Sequence, residues 1–130
     1  MTPESRDYIA KARDALGEAK AVMSLLLTNA AGRAPYLAAY HAAQALIFHR
    51  TGRIAKTHSG VRAEFARLAK DDSAIDREFV TFLAHAYSLK EIADYETGPD
   101  AVVPPEHAVA AIATAERFID QIGTVISDPE

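Results

Sequence analysis

Apolar residues recur every three or four positions along almost the whole chain, and this spacing constrains the fold more than any other feature. Such a repeat lines one face of an α-helix, whereas convincing two-residue alternation and Asn-Gly or Asp-Gly hairpin turns are absent from the sequence. Five helices are predicted, over 3–30, 33–51, 58–70, 73–97 and 104–126. Long helices with short breaks are typical of an antiparallel bundle. We therefore predict an all-α fold, an antiparallel up-and-down bundle of about five helices, in a single domain over 1–130.

Residues with capping chemistry mark several of the predicted helix ends. Thr57 is predicted to cap the third helix, and Ser73 with Asp76 resembles a capping box that opens the fourth. The second helix is apolar on nearly all sides, which is typical of a helix at the centre of a bundle. The first helix is predicted to end through three residues with poor helix propensity, namely Asn29, Gly32 and Pro35.

Composition excludes several classes of protein. Hydrophobic residues make up 49% of the chain and charged residues 25%, values that are ordinary for a globular domain. The absence of cysteine excludes disulfides, thiolate metal sites and cysteine nucleophiles. No apolar run approaches the roughly 18–20 residues that span a membrane, and the charged N-terminal stretch 1–14 shows no signal peptide. We expect a cytoplasmic protein without a membrane span.

Charge is distributed unevenly along the chain. The net charge of −4 argues against a general nucleic-acid binder, but residues 50–70 carry a net charge of +5 and residues 71–130 a net charge of −10. The basic segment indicates an anion site or a surface that faces a partner.

The stretch 88–98, "SLKEIADYETG", places Lys90 and Asp94 four residues apart on one helix face. The simplest interpretation is a solvated ion pair that contributes a few tenths of a kcal/mol. An active site is the alternative.

The stretch 55–60, "AKTHSG", places His58 in the first turn of the third helix, close to Lys56 and Arg62. Backbone N–H groups at a helix start, with basic side chains nearby, favour anion binding. A neutral histidine there could also transfer a proton, and an ordinary exposed loop and cap is the alternative. His41, in the apolar second helix, is interpreted as a hydrogen-bonded core residue. The five histidines lack metal-ligand spacing, so we predict no metal site and no cofactor.

Three stretches together resemble the small stand-alone HEPN-domain proteins of bacteria and archaea. They are "PYLAAYHAAQALIFHRTG" (35–52), "AKTHSGVRAEFARL" (55–68) and "YSLKEIADYETG" (87–98). The resemblance implies a HEPN-like helical bundle, usually a homodimer, which often forms a toxin–antitoxin-like pair with a nucleotidyltransferase partner. Many such proteins are metal-independent RNases with an arginine, four to six variable residues and then a histidine.

This sequence departs from that motif. Lys90 stands where the arginine is expected, and no histidine follows it within the required distance. Lysine keeps the charge but lacks the planar fork that grips phosphate. We consider that His58 could replace the missing histidine if it lies close to Lys90. In that case Lys90, Asp94 and His58 are the candidate catalytic residues.

Three functions follow as hypotheses. The first is the HEPN component of a two-protein system that binds nucleotide or RNA and a nucleotidyltransferase-like protein. The second is a metal-independent endoribonuclease with a divergent site, and the third is a ligand-free homodimeric interaction module. In the first, Lys90 contacts phosphate, Asp94 positions Lys90 or a ligand hydroxyl, and Tyr95 stacks or donates a hydrogen bond. The rim of the anion site would be formed by Lys56, His58 and Arg62.

Overall fold

The computed structural model describes residues 2–95 and 102–127, and within them the chain forms five α-helices and no strand. The helices are α1 (Pro3–Ser24), α2 (Thr28–Thr51), α3 (His58–Lys70), α4 (Glu78–Tyr95) and α5 (Pro105–Ser127). The predicted all-α fold of about five helices is confirmed. Of the helices in these two ranges, none is both long and apolar enough to cross a membrane.

α2 is the central helix, as predicted, and it packs against each of the other four. Many of its fully buried positions carry the small residue alanine. They are Ala31, Ala38, Ala39, Ala42, Ala43 and Ala45. Small residues at these positions let neighbouring helices approach closely while larger side chains from those helices fill the remaining space. The surrounding helices are thereby held against one shared element.

A cluster of phenylalanines joins the outer helices α3, α4 and α5. The ring of Phe118 in α5 is fully buried. Its centroid lies 5.1 Å from that of Phe65 in α3, and 4.9 Å and 6.4 Å from those of Phe79 and Phe82 in α4. Ring pairs at such distances contribute beyond the area they bury, so Phe118 is a focal point of the core.

The first helix ends earlier than predicted, and the second helix begins earlier. α1 stops at Ser24, and a turn of three leucines follows in which Leu26 has a φ of 59°. The residues that were expected to end the first helix all lie inside α2: Asn29, Gly32 and Pro35. Pro35 cannot donate a backbone hydrogen bond, but it is fully buried, so its packing offsets part of that loss.

Asn29 and Gly32 instead connect α2 to the segment that precedes α5. The Asn29 Oδ1 atom accepts a hydrogen bond of 2.8 Å from the backbone N–H of Val103. Gly32 faces the Val103 side chain so closely that an added Cβ would lie 2.7 Å from Cγ1. Asn29 and Gly32 lie within the helix, contrary to the prediction, because their long-range contacts outweigh their low helix propensity.

The fourth helix begins at Glu78, so the prediction of a capping box at Ser73 is wrong. The Asp76 carboxylate accepts a hydrogen bond of 3.0 Å from the Glu78 N–H, which satisfies one free donor of the first turn. The Asp76 N–H donates in turn to Gln121 Oε1 at 2.7 Å. Contact with α5 thus fixes the chain before α4 in a non-helical conformation.

Two glycine-to-alanine substitutions are expected to change stability in opposite directions. Gly32→Ala should lower the free energy of unfolding by about 1–3 kcal/mol, because its Cβ would overlap Val103. Gly17→Ala should raise it by about 0.5–1 kcal/mol, because no atom lies within 4 Å of the new Cβ and alanine favours a helix. Urea unfolding followed by circular dichroism measures both. A Gly32→Ala variant that is at least as stable as the wild type would contradict the close contact with Val103.

Candidate functional site

The predicted start of α3 is confirmed. Thr57 precedes the helix in an extended conformation, and its side-chain oxygen accepts a hydrogen bond of 3.0 Å from the Gly60 N–H. Position 60 requires glycine, because a Cβ there would lie only 2.5 Å from Thr57 Oγ1. The cap therefore fixes His58 as the first residue of the helix.

Side chains of α2 hold the loop that leads to His58. The Tyr40 hydroxyl donates to the carbonyl of Lys56 at 2.7 Å, and Gln44 Nε2 donates to the carbonyl of Ala55 at 2.8 Å. Gln44 is 7% exposed, and its Oε1 lies 2.8 Å from His41 Nδ1. His41 is hydrogen-bonded as predicted, but it is only half-buried and is therefore not a core residue. Because both loop carbonyls are bound by the central helix, the position of His58 is set by the core of the bundle.

The His58 ring lies among three tyrosine rings. Its centroid is 5.4 Å from that of Tyr36, 5.2 Å from that of Tyr40 and 5.4 Å from that of Tyr87. The His58 Nδ1 atom lies 2.8 Å from the Tyr36 hydroxyl oxygen. Burial raises the pKa of Tyr36 to about 12, against the opposing effect of Arg62. The hydroxyl is therefore protonated at neutral pH and can donate to Nδ1, which leaves the ring proton of His58 on Nε2.

Two cations approach the Tyr87 ring. The guanidinium carbon of Arg62 in α3 lies 4.4 Å from the ring centroid, and the Nζ atom of Lys90 in α4 lies 6.0 Å from it. Both positions are within the range of cation–π attraction. The Arg62 Nη1 atom is buried and makes no hydrogen bond within the described part of the chain. A buried donor without an acceptor is unfavourable, and because solvent does not reach Nη1, a ligand oxygen could bind it only after the Arg62 side chain moved.

Lys90 and Asp94 form the ion pair that their spacing predicted, but the pair is only partly solvated: Lys90 is buried, whereas Asp94 is an exposed residue whose side chain is largely covered. The two side chains are only 11% and 18% exposed, and Lys90 Nζ donates to Asp94 Oδ2 at 2.8 Å. Arg33 of α2 approaches the other carboxylate oxygen, with 3.2 Å between its Nε and Asp94 Oδ1. Asp94 thus connects the end of α4 to α2 and holds Lys90 in place.

The two cations act on His58 electrostatically. Burial lowers the pKa of His58, and the positive charges of Lys90 and Arg62 lower it further, whereas the charge of Glu91 has the opposite effect. The imidazole is therefore neutral at pH 7. His58 and Lys90 each lie close to the Tyr87 ring, and the hypothesis that His58 takes the place of the missing histidine stays a prediction. We call the group formed by Tyr36, His58, Arg62, Tyr87 and Lys90 the tyrosine–cation cluster.

The structure brings together most of the residues singled out from the sequence. His58, Arg62 and Lys90 belong to the tyrosine–cation cluster, and Asp94 lies against Lys90. The Lys56 side chain is exposed, two residues before His58. The side chain of Tyr95 lies outside the described residues. The chemical roles assigned to these side chains stay predictions.

Sequence reasoning missed several residues of the site. The sequence does not predict the roles of Tyr36, Tyr40, Gln44 and Arg33. One signal was available, because tyrosine and glutamine in an otherwise apolar helix need hydrogen-bond partners when they are buried. The sequence could not identify those partners, which lie 11 to 61 positions away along the chain.

The pKa of His58 is expected to lie below its ordinary value of about 6.5 and to respond to its neighbours in a defined order. Lys90→Met and Arg62→Met should each raise the pKa of His58, and Glu91→Gln should lower it. Titration of the histidine ring signals by NMR measures these shifts. Because His58 binds a proton more weakly in the folded than in the unfolded protein, its contribution to stability is present above about pH 6.5 and is lost as the pH falls. A pKa of His58 that Lys90→Met leaves unchanged would show that the two groups are too far apart to interact.

Among residues 2–95 and 102–127, no group of three or more histidine, aspartate or glutamate side chains is placed to hold a metal ion. The family model of the HEPN domain matches residues 5–124 of the chain. No curated protein matches the chain. The match to the family model covers nearly the whole chain, and the chain therefore belongs to the HEPN family.

Proposed function

We propose that this HEPN protein binds the phosphate backbone of RNA, or a nucleotide, at the tyrosine–cation cluster, as one component of a two-protein, toxin–antitoxin-like system. The observation that carries this proposal is the convergence of Arg62 and Lys90 on Tyr87, with Arg62 Nη1 buried and without a hydrogen-bond partner. A phosphate oxygen would supply the acceptor that this nitrogen lacks once the Arg62 side chain turned toward the ligand.

Three physical features support a phosphate ligand. Lys90 and Arg62 supply positive charge from two helices, and a charge-assisted hydrogen bond to phosphate is about twice as strong as a neutral one. His58 stands at the N-terminus of α3, where free backbone N–H groups and the helix dipole attract anions. Its Nε2–H, set by the hydrogen bond from Tyr36, is a further donor. The half-exposed Tyr87 adds the aromatic character that is typical of single-stranded RNA sites.

The second protein in this proposal is a nucleotidyltransferase-like partner, and the HEPN chain acts as a homodimer. Both follow from the resemblance of the stretches 35–52, 55–68 and 87–98 to the stand-alone HEPN proteins. Co-expression with the product of an adjacent nucleotidyltransferase gene, followed by size-exclusion chromatography, tests the pairing. A single peak that contains both proteins supports it, and two separate peaks tell against it.

A metal-independent endoribonuclease is the second candidate, because His58 is neutral and both His58 and Lys90 lie close to the Tyr87 ring. The Tyr36–His58 hydrogen bond is the reason why the endoribonuclease is the second candidate and not the first. A general base needs a free lone pair on the ring nitrogen that faces the substrate, and donation from Tyr36 to Nδ1 leaves a proton on Nε2. This tautomer favours donation to phosphate over proton abstraction from a ribose hydroxyl.

The decisive experiment measures binding and cleavage in one sample. Fluorescein-labelled single-stranded RNA, with EDTA present, is titrated with the protein by fluorescence anisotropy and then analysed on a denaturing gel. Arg62→Met should weaken binding by about tenfold to a hundredfold, the range for a lost hydrogen bond to a charged group. Arg67→Met is the matched control, because Arg67 lies on the same helix but pairs with Glu64 at the surface.

Each outcome of that experiment distinguishes the three hypotheses. Intact RNA with binding that depends on Arg62 but not on Arg67 supports the proposal. Cleavage that Lys90→Ala abolishes supports the endoribonuclease instead. Absence of binding to RNA and to ATP would favour the ligand-free interaction module, and equal losses in Arg62→Met and Arg67→Met would indicate diffuse electrostatic binding.

A further inference from the structure

Three consecutive leucines project from the turn between α1 and α2. Leu25, Leu26 and Leu27 are 69%, 76% and 52% exposed, and we call them the leucine corner. Val102, which is 55% exposed, precedes Val103, whose N–H is bonded to Asn29 at the start of α2. Contiguous exposed apolar side chains of this kind mark interaction surfaces.

The leucine corner is an ordered turn with a strained residue at its tip. The N–H groups of Leu25 and Leu27 donate to the Val22 carbonyl at 3.2 Å and 3.1 Å, and that of Leu26 donates to Met23 at 2.9 Å. The φ of 59° at Leu26 lies in the left-handed region, which costs a residue with a Cβ about 1–2 kcal/mol. Glycine would form the same turn without that strain. Leucine here adds neither a core contact nor an easy turn, which points to an external partner.

A shallow groove lies beside the leucine corner, between α1 and α2. Its lining is largely apolar, and oppositely charged residues stand among its walls: Val22, Ala30, Ala34 and Leu37 with Glu18 and Arg33. Its volume is about 130 Å³, on the scale of the ~150 Å³ apolar cavities that accept a benzene ring. The groove therefore has room for one apolar side chain of leucine size.

We propose that the leucine corner of one copy docks into this groove on a second copy, and that a two-fold axis makes the contact twice. The projecting corner and the groove lie side by side on one surface, which is the arrangement that a two-fold dimer needs. Charge complementarity supports a second copy over an unrelated protein. Glu18 of each copy would face Arg33 of the other, and Arg33 is 55% exposed.

This interface deepens the proposed function, because it assigns a surface to the homodimer and rests on that part of the proposal. Arg33 belongs to both regions, since it lines the groove and contacts Asp94. Dimer formation would therefore place the second copy beside the end of α4, next to the tyrosine–cation cluster.

Light scattering coupled to size-exclusion chromatography, over a range of protein concentrations, tests the interface. Leu26→Gly should weaken the dimer at least tenfold while the helical circular dichroism spectrum stays unchanged, because glycine accepts the positive φ. Glu18→Arg should weaken it through repulsion of Arg33. Ile54→Ser is the matched control and should leave the dimer intact, because Ile54 is also 52% exposed but follows the opposite end of α2.

A wild-type chain that stays monomeric at every concentration would overturn both the homodimer and this interface. A dimer that Leu26→Gly and Glu18→Arg leave unchanged would overturn the interface alone. RNA binding is measured separately through Arg62→Met, so a failure of the RNA proposal with an intact, Leu26-dependent dimer leaves the interface standing.

Discussion

Replacing Phe118 with alanine is expected to lower the free energy of unfolding by about 3–5 kcal/mol, the range for a fully buried aromatic side chain. The ring contacts Phe65, Phe79 and Phe82, which lie on two other helices. Its removal would leave a cavity that these rings cannot all close, since each is fixed by its own helix. Urea unfolding followed by circular dichroism measures the change, and an unaltered denaturant slope would show that unfolding stays two-state.

Phe48→Ala is the matched control for Phe118→Ala. Phe48 lies on the central helix but is only partly buried and does not belong to the hydrophobic core. Its loss should therefore be much less destabilising than that of Phe118. Equal effects would show that the stability of the bundle is not concentrated where α3, α4 and α5 meet.

The sequence predicted the helices well where their ends depend on local chemistry. Thr57 caps α3 through its own side chain, and Gly52 follows α2 with a φ of 71°, which glycine adopts without strain. The boundary between α1 and α2 depends on other parts of the chain. No residue in the leucine corner has turn propensity, and the nearest helix breakers are held inside α2 by Val103. The turn at Leu26 is therefore a consequence of tertiary packing.

The candidate site likewise contains some contacts that the sequence predicts and others that it does not. The contact between Lys90 and Asp94 follows from their spacing of four on one helix, so it was predictable. The limited exposure of the pair was not predictable, because Arg33 approaches Asp94 from α2 and is 61 positions away along the chain. The hydrogen bond between Tyr36 and His58 likewise joins two helices. Sequence spacing identifies which groups can meet on one helix, whereas the environment that sets their charge and pKa comes from the neighbouring helices.

Replacing Asp94 with alanine is expected to lower the free energy of unfolding by about 1–3 kcal/mol, between the ranges for exposed and for buried ion pairs, because this pair is partly buried. The Asp94 carboxylate binds Lys90, whose side chain is 11% exposed, so the ammonium would lose this anion while it stays largely out of water. Asp94→Asn should be milder, because its amide oxygen still accepts a hydrogen bond from Lys90. Thermal or urea unfolding at pH 7 measures both variants.

Arg33→Ala separates the two ion pairs that share Asp94. Arg33 is 55% exposed, so its pair is screened by solvent and should contribute less than about 1 kcal/mol. Most of the loss in Asp94→Ala then comes from Lys90, and high salt should weaken the effect of Arg33→Ala more than that of Asp94→Ala. If Arg33→Ala proved as destabilising as Asp94→Ala, the contact between α2 and the end of α4 would be the main role of Asp94. In that case Lys90 would depend less on Asp94 for its position, and the assignment of Asp94 as the residue that holds Lys90 toward a phosphate would fail.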